Sequence, residues 1–134
     1  MNSETNKPPK RVYDLADRLV KFNTMISQMT ESIVKSQEGN NIKNQLIRSS
    51  SSAALNYGEA LVPESTSDFI HKINICLKEL MESRISLKII ISRNLCPVDD
   101  ITKKCDDECS ELIAIFITSV HTARKNVLNK KVGM

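Results

Sequence analysis

Seven apolar residues near the start of the chain, Val12, Leu15, Leu19, Phe22, Ile26, Met29 and Ile33, follow one another at alternating spacings of three and four. Residues three and four apart share one face of a helix, so this spacing predicts a helix over Val12–Val34 with a narrow apolar stripe. Such a stripe must be covered by other elements. The chain has only three Gly and four Pro in 134 residues, too little turn chemistry for an all-β partner. The partners are therefore helices.

Three further helical segments follow. Gly39-Asn40-Asn41 interrupts the pattern and offers an N-cap. A second helix then runs to about Leu61, with Ile42, Leu46, Ala53, Tyr57 and Ala60 on one face. Val62-Pro63-Glu64-Ser65 is the next break, where Ser65 and Asp68 read as a capping box with Asp in the usual Glu place. The third helix, Thr66–Asn94, stacks Phe69, Ile73, Cys76, Leu77, Leu80, Leu87 and Ile91. After the turn at Pro97, Asp99 and Asp100 open a fourth helix, which buries Ile101, Cys105, Leu112, Phe116, Val120 and Ala123 and frays near Lys125. Connections this short make neighbouring helices antiparallel. The expectation is an all-α, up-down-up-down antiparallel four-helix bundle with short loops. Residues 1–11 form a flexible leader, 12–125 the bundle domain and 126–134 a basic C-terminal tail.

A chain of this length is one domain. Its charge is nearly even: eight bases against seven acids over residues 1–67, and eleven against nine over residues 68–134. A dedicated nucleic-acid binder has a stronger bias. The exception is local, because after Glu111 the chain carries Arg124, Lys125, Lys130 and Lys131 and no acid. No signal-peptide pattern opens the chain, and no apolar run approaches the ~20 residues that span a bilayer. The expected location is cytoplasmic, with Cys76, Cys96, Cys105 and Cys109 reduced.

Several polar residues sit within or beside the apolar stripes. Arg84 lies inside the third helix's stripe, where a guanidinium needs a carboxylate. Counting outward from the turn near Cys96 places it level with Glu108, so a pair with Glu108 or Glu111 is expected. The same count around Pro63 sets Arg48 level with Glu79, Asn56 near His71 and Glu59 near Lys72. Arg48, Ser52, Leu55 and Glu59 thus form a second stripe on the second helix. The third helix answers with Ile75, Glu79, Glu82, Ile85 and Ile89. Larger exposed apolar patches mark contacts, so Leu55, Ile75, Ile85 and Ile89 are candidates for a subunit interface. Scattered surface apolar residues are the competing explanation.

These residues also carry a resemblance. The segment Leu46-Ile47-Arg48-Ser49-Ser50-Ser51-Ser52-Ala53-Ala54-Leu55-Asn56-Tyr57-Gly58-Glu59-Ala60 resembles the central signature of the bacterial 23S rRNA intervening-sequence proteins. Asp68-Phe69-Ile70-His71-Lys72-Ile73, then Cys76 and Leu77-Lys78-Glu79-Leu80-Met81-Glu82-Ser83-Arg84, resembles the second, and Tyr13-Asp14-Leu15 fits the opening. The resemblance covers about Val12 to Lys125. It implies a four-helix bundle assembling into a homo-oligomeric ring, a pentamer. It also implies a fold similar to the accessory protein of diversity-generating retroelements, a basic pentameric barrel that binds nucleic acid and a reverse transcriptase. Arg48, Asn56, Glu59, Glu79, Glu82 and Arg84 are the signature polar positions it carries over, without making any of them catalytic. After Ala60 the chain departs from more basic relatives, with Leu61-Val62-Pro63-Glu64 and no positive charge.

No catalytic site is legible. His71 and His121 are the two histidines, on different helices, and neither has an evident orienting acid or nucleophile. Cys105 and Cys109 lie four apart, but a structural zinc site takes a second pair, and Cys96 alone does not supply it. The Ser49–Ser52 run, inside a helical pattern, is expected to let helices approach closely. No Gly-rich phosphate loop or cofactor motif is present, so no catalytic residue, metal, cofactor or small-molecule substrate is expected. Candidate phosphate contacts are Lys72, Lys78, Lys88, Arg93, Arg124, Lys125, Lys130 and Lys131, whose effect a ring would multiply. The expected function is that of a non-enzymatic oligomeric protein that associates with RNA as a binding or scaffold protein. A protein–protein adaptor with no nucleic-acid role is the alternative.

Overall fold

The computed structural model describes residues 11–132, with side chains from Leu15 to Val132. The leader expected over residues 1–11 lies almost wholly outside the described residues. Four helices follow in order: α1 (Arg11–Thr30), α2 (Gln37–Ala60), α3 (Thr66–Ser92) and α4 (Asp100–Val132). No strand occurs among the described residues. Each helix packs on its chain neighbours and α4 closes back on α1, while α1 with α3 and α2 with α4 stay apart across the bundle. Connections of six, five and seven residues impose the antiparallel arrangement.

The core is the set of apolar stripes turned inward. Leu19, Phe22, Ile26 and Met29 of α1 are fully buried, as are Leu46 and Ala53 of α2, Leu80, Leu87 and Ile90 of α3, and Leu112 and Phe116 of α4. Each large side chain contributes about 1.5–3 kcal/mol by leaving water. Tyr57 and Phe116 meet edge to face, with centroids 5.6 Å apart. The most extensive packing is between α2 and α3, where Ser49 of the serine run lies. Ser49 and Ser83 are buried and share a hydrogen bond of 2.7 Å across the two helices. The Cys76 thiol donates to the Ala53 carbonyl at 3.4 Å. From α1, the Asn23 amide donates to Ser50 and Ser51 at 2.9 and 3.0 Å.

The helix ends differ from the sequence reading in four places. α1 stops at Thr30, and Ile33 reaches the core from the following turn. α2 begins at Gln37, capped by Ser36, whose Oγ accepts from the Gly39 amide at 3.0 Å. Gly39 is thus inside the first turn and not a break. A Cβ there would fall 2.1 Å from the Val34 carbonyl oxygen, so the close approach of the preceding turn demands glycine. α3 ends at Ser92 through a Schellman turn: Asn94 takes φ 54°, its amide donates to Ile91, and the Leu95 amide donates to Ile90. The Leu95 carbonyl then accepts from Val34 at 2.9 Å and ties the two turns at this end together. α4 does not fray near Lys125; it stays helical to Val132, so residues 126–132 extend the helix.

The N-termini of α3 and α4 are capped as the sequence suggests. Ser65 Oγ accepts from the Asp68 amide at 3.0 Å, while Asp68 reaches back to the Glu64 amide at 3.1 Å. Asp99 Oδ1 accepts from the Thr102 amide at 3.1 Å.

Candidate functional site

Two surfaces concentrate the chemistry. The first is the outer seam between α2 and α3, which is closed by ion pairs. Arg48 bridges Glu79 and Glu82, with 3.4 Å to Glu79. Ser52 donates to Glu79 Oε2 at 2.8 Å, and Asn56 donates to the Ser52 hydroxyl at 3.1 Å and to its carbonyl at 2.9 Å. Glu59 pairs with Lys72, and Glu38 with Arg93 at 2.9 Å. The hydrogen bond from each cation to its carboxylate raises the pKa of Lys72 and of Arg93. The register count therefore places Arg48 by Glu79 and Glu59 by Lys72 as found. Asn56 turns along its own helix instead of toward His71, which is exposed.

Apolar residues flank this polar seam. Leu55 is 69% exposed, Ile85 53% and Ile89 39%, while Ile75 is half-buried. At the N-terminal end of α2, Gln37, Glu38, Asn41, Ile42, Gln45 and Ile89 line an open groove of about 560 Å³.

The second surface is the far end of α4. At 33 residues and ~1.5 Å each, this helix is about 50 Å long and the longest of the four. Its last turns run past the start of α3, where Thr66 faces Val127, Lys130 and Lys131 across a shallow groove. Arg124, Lys125, Lys130 and Lys131 are exposed, as are Leu128 and Val132. Of the eight candidate phosphate contacts, Lys72 and Arg93 are engaged in ion pairs. Lys78 and Lys88 are exposed on α3, and the remaining four share the end of α4.

Arg84 corrects the sequence reading. Glu108 pairs with Arg18 of α1, at 2.7 and 3.0 Å, and Glu111 joins at 3.6 Å. The hydrogen bond from Arg18 to Glu108 raises the arginine's pKa. Arg84 is left half-buried, with its Nε shielded from solvent and unpartnered among the described residues. Counting around one turn relates only chain neighbours. The α1–α4 contact spans the whole chain, which hid Arg18 from the sequence.

The four cysteines are buried and unpaired. Burial pushes the thiols of Cys76, Cys105 and Cys109 up to about 12, so they are neutral at physiological pH. Among the described residues no group of three His, Cys, Asp or Glu side chains is placed to hold a metal ion. No described helix is long and apolar enough to cross a membrane.

Fold and surfaces together define an antiparallel four-helix bundle with a salt-bridged α2–α3 seam and a cationic helix end. Residues 11–118 match the family model of the 23S rRNA-intervening sequence protein, and the chain belongs to that family. A solved structure from Bacteroides thetaiotaomicron, described as a protein with unknown function from the S23 ribosomal protein family, superposes with a TM-score of 0.72. It is 24% identical, with 82% of this chain and 97% of that chain covered, and the likeness is one of fold. No curated protein matches.

Proposed function

We propose that this chain is a non-enzymatic, cytoplasmic bundle protein that assembles with copies of itself and associates with RNA as a binding or scaffold protein. The observation that carries the reading is the end of α4. Four exposed cations, with no acid after Glu111, are held on a continuous helix that runs past the start of α3. Phosphate contacts of this kind give affinity without sequence readout, and their strength falls steeply with salt. Repetition of the helix end around a ring, a pentamer in the resemblance noted above, turns a weak patch into a strong one. The exposed Leu55, Ile85 and Ile89 support self-association through the α2–α3 face.

The test is the binding of a mixture of short RNAs, followed by fluorescence anisotropy across a salt series. Wild type should bind with a log–log salt slope of several units. Replacing Arg124, Lys125, Lys130 and Lys131 by Ala should flatten the slope by up to about four. Binding that ignores salt, or that survives the quadruple substitution unchanged, contradicts the reading.

A protein adaptor is the second reading, favoured by the groove beside Ile42 and Ile89. A protein partner whose capture survives nuclease treatment and is lost on Ile89→Glu would support it.

A further inference from the structure

Three of the arginines with described side chains, Arg18, Arg48 and Arg93, pair with carboxylates. Arg124 stands in solvent on the last turns of α4. Arg84 fits neither group. It is half-buried on α3, one turn after Leu80, whose carbonyl accepts from the Cys109 thiol of α4 at 3.4 Å. Its Nε is shielded and meets no acceptor among the described residues. Glu108, the acid the register offers it, is held by Arg18, and Asp106, a turn before Cys109, forms no described ion pair with it. A guanidinium N–H shielded from water and left without an acceptor is an unfavourable arrangement. Lys88 adds to it: exposed, one helical turn further along α3, it stands at a spacing where like charges repel.

An oxyanion set against this edge relieves both charges. Arginine offers two parallel N–H donors to an oxyanion and lysine a mobile point charge. A single carboxylate answers one cation, whereas a nucleic-acid strand brings successive phosphates along the helix. We propose that Arg84 and Lys88 form a phosphate site on the α3–α4 edge, filled by the backbone of a bound RNA. The source of the phosphate rests on the RNA reading above; the site itself would take inorganic phosphate equally.

The experiment compares wild type, Arg84→Met, Arg84→Lys and Lys88→Met. Thermal melting is followed in inorganic phosphate and in chloride at matched ionic strength, with RNA anisotropy and light scattering on the same samples. Wild type should gain melting temperature saturably with phosphate. Arg84→Met, which keeps the packed stem, should melt no lower than wild type in chloride and lose the phosphate response. Lys88→Met should weaken that response, and both variants should bind RNA about threefold or more weakly, with a salt slope shallower by about one. If Arg84→Met does not fold, Arg84→Lys and Lys88→Met carry the test.

An equal phosphate response in wild type and every variant overturns the site. Wild-type RNA binding in the Arg84 and Lys88 variants overturns it as an RNA contact and leaves the RNA reading standing. A phosphate response that needs Arg84, in a protein that binds no RNA, upholds the site and sinks the RNA reading. Loss of assembled mass in Arg84→Met, with the phosphate response intact, assigns the arginine to a carboxylate of a second copy and overturns the proposal.

Discussion

At Gly39 a single methyl group decides whether the first turn of α2 can form. The Val34 carbonyl occupies the place a Cβ would need, at 2.1 Å, with Ile33 and Ser36 close behind. Gly39→Ala should cost about 1–3 kcal/mol, the range for forcing extra volume into a packed site, read as a lower urea midpoint with unchanged slope. The buried thiols give a prediction of opposite character. Cys76, Cys105 and Cys109 have a folded pKa near 12 against an unfolded value of 9.0, because burial penalises the thiolate. A raised folded pKa means that the stabilisation is full below about pH 9 and is lost as pH rises from there toward 12. Urea midpoints should therefore fall across that window, and native protein should resist alkylation at pH 8 until denatured. Asp99 works at the acid end, since the Thr102 amide lowers its pKa below 3.8. Its contribution is present above that value and disappears as pH drops through the folded pKa.

At the scale of elements, the interior of each helix was legible and its ends less so. The alternating three-and-four spacing of Leu15 to Met29 survives in the structure, because periodicity reports the buried face directly. Gly39 misled because glycine punctuates chains both by ending helices and by permitting close approach, and sequence alone does not separate the two. Ser36, the actual cap, sits in a run of polar residues where several could serve. The tail beyond Lys125 read as frayed because its composition is that of a solvated terminus, yet α4 continues to Val132. Pairings between chain neighbours, Arg48 with Glu79 and Glu59 with Lys72, followed from counting residues around one turn. The pair of Arg18 with Glu108 did not, since two helices intervene. A double-mutant cycle on Arg18 and Glu108 should give a coupling of about 1 kcal/mol, the upper end for partly exposed pairs. The same cycle on Arg84 and Glu108 should give none. At the caps, Ser65→Ala should lower stability by about 1 kcal/mol through the lost acceptor for the Asp68 amide.

At the scale of the whole molecule, the bundle pairs its buried polar side chains, with the exception of the Arg84 Nε among the described residues, and beyond the edge that arginine marks it leaves two further kinds of surface for other molecules. One is the α2–α3 face, where ion pairs fix the seam and Leu55, Ile85 and Ile89 remain in water. The other is the cationic end of α4. Neither resembles a catalytic centre: the histidines His71 and His121 are exposed on separate helices, and the cysteines are sealed in the core. Membership in the 23S rRNA-intervening sequence protein family rests on residues 11–118, which take in the α2–α3 face but not the last turns of α4. The sequence carried the family blocks and the basic run, but not the fact that the run stays helical to Val132. Light scattering on the purified chain, alone and with short RNAs at low and at high salt, tests this account most directly. It predicts a particle several times the 15.1 kDa of one chain whose mass rises with RNA at low salt and returns to its RNA-free value at high salt. A 15.1 kDa monomer, or an assembly indifferent to RNA at every salt concentration, would contradict it.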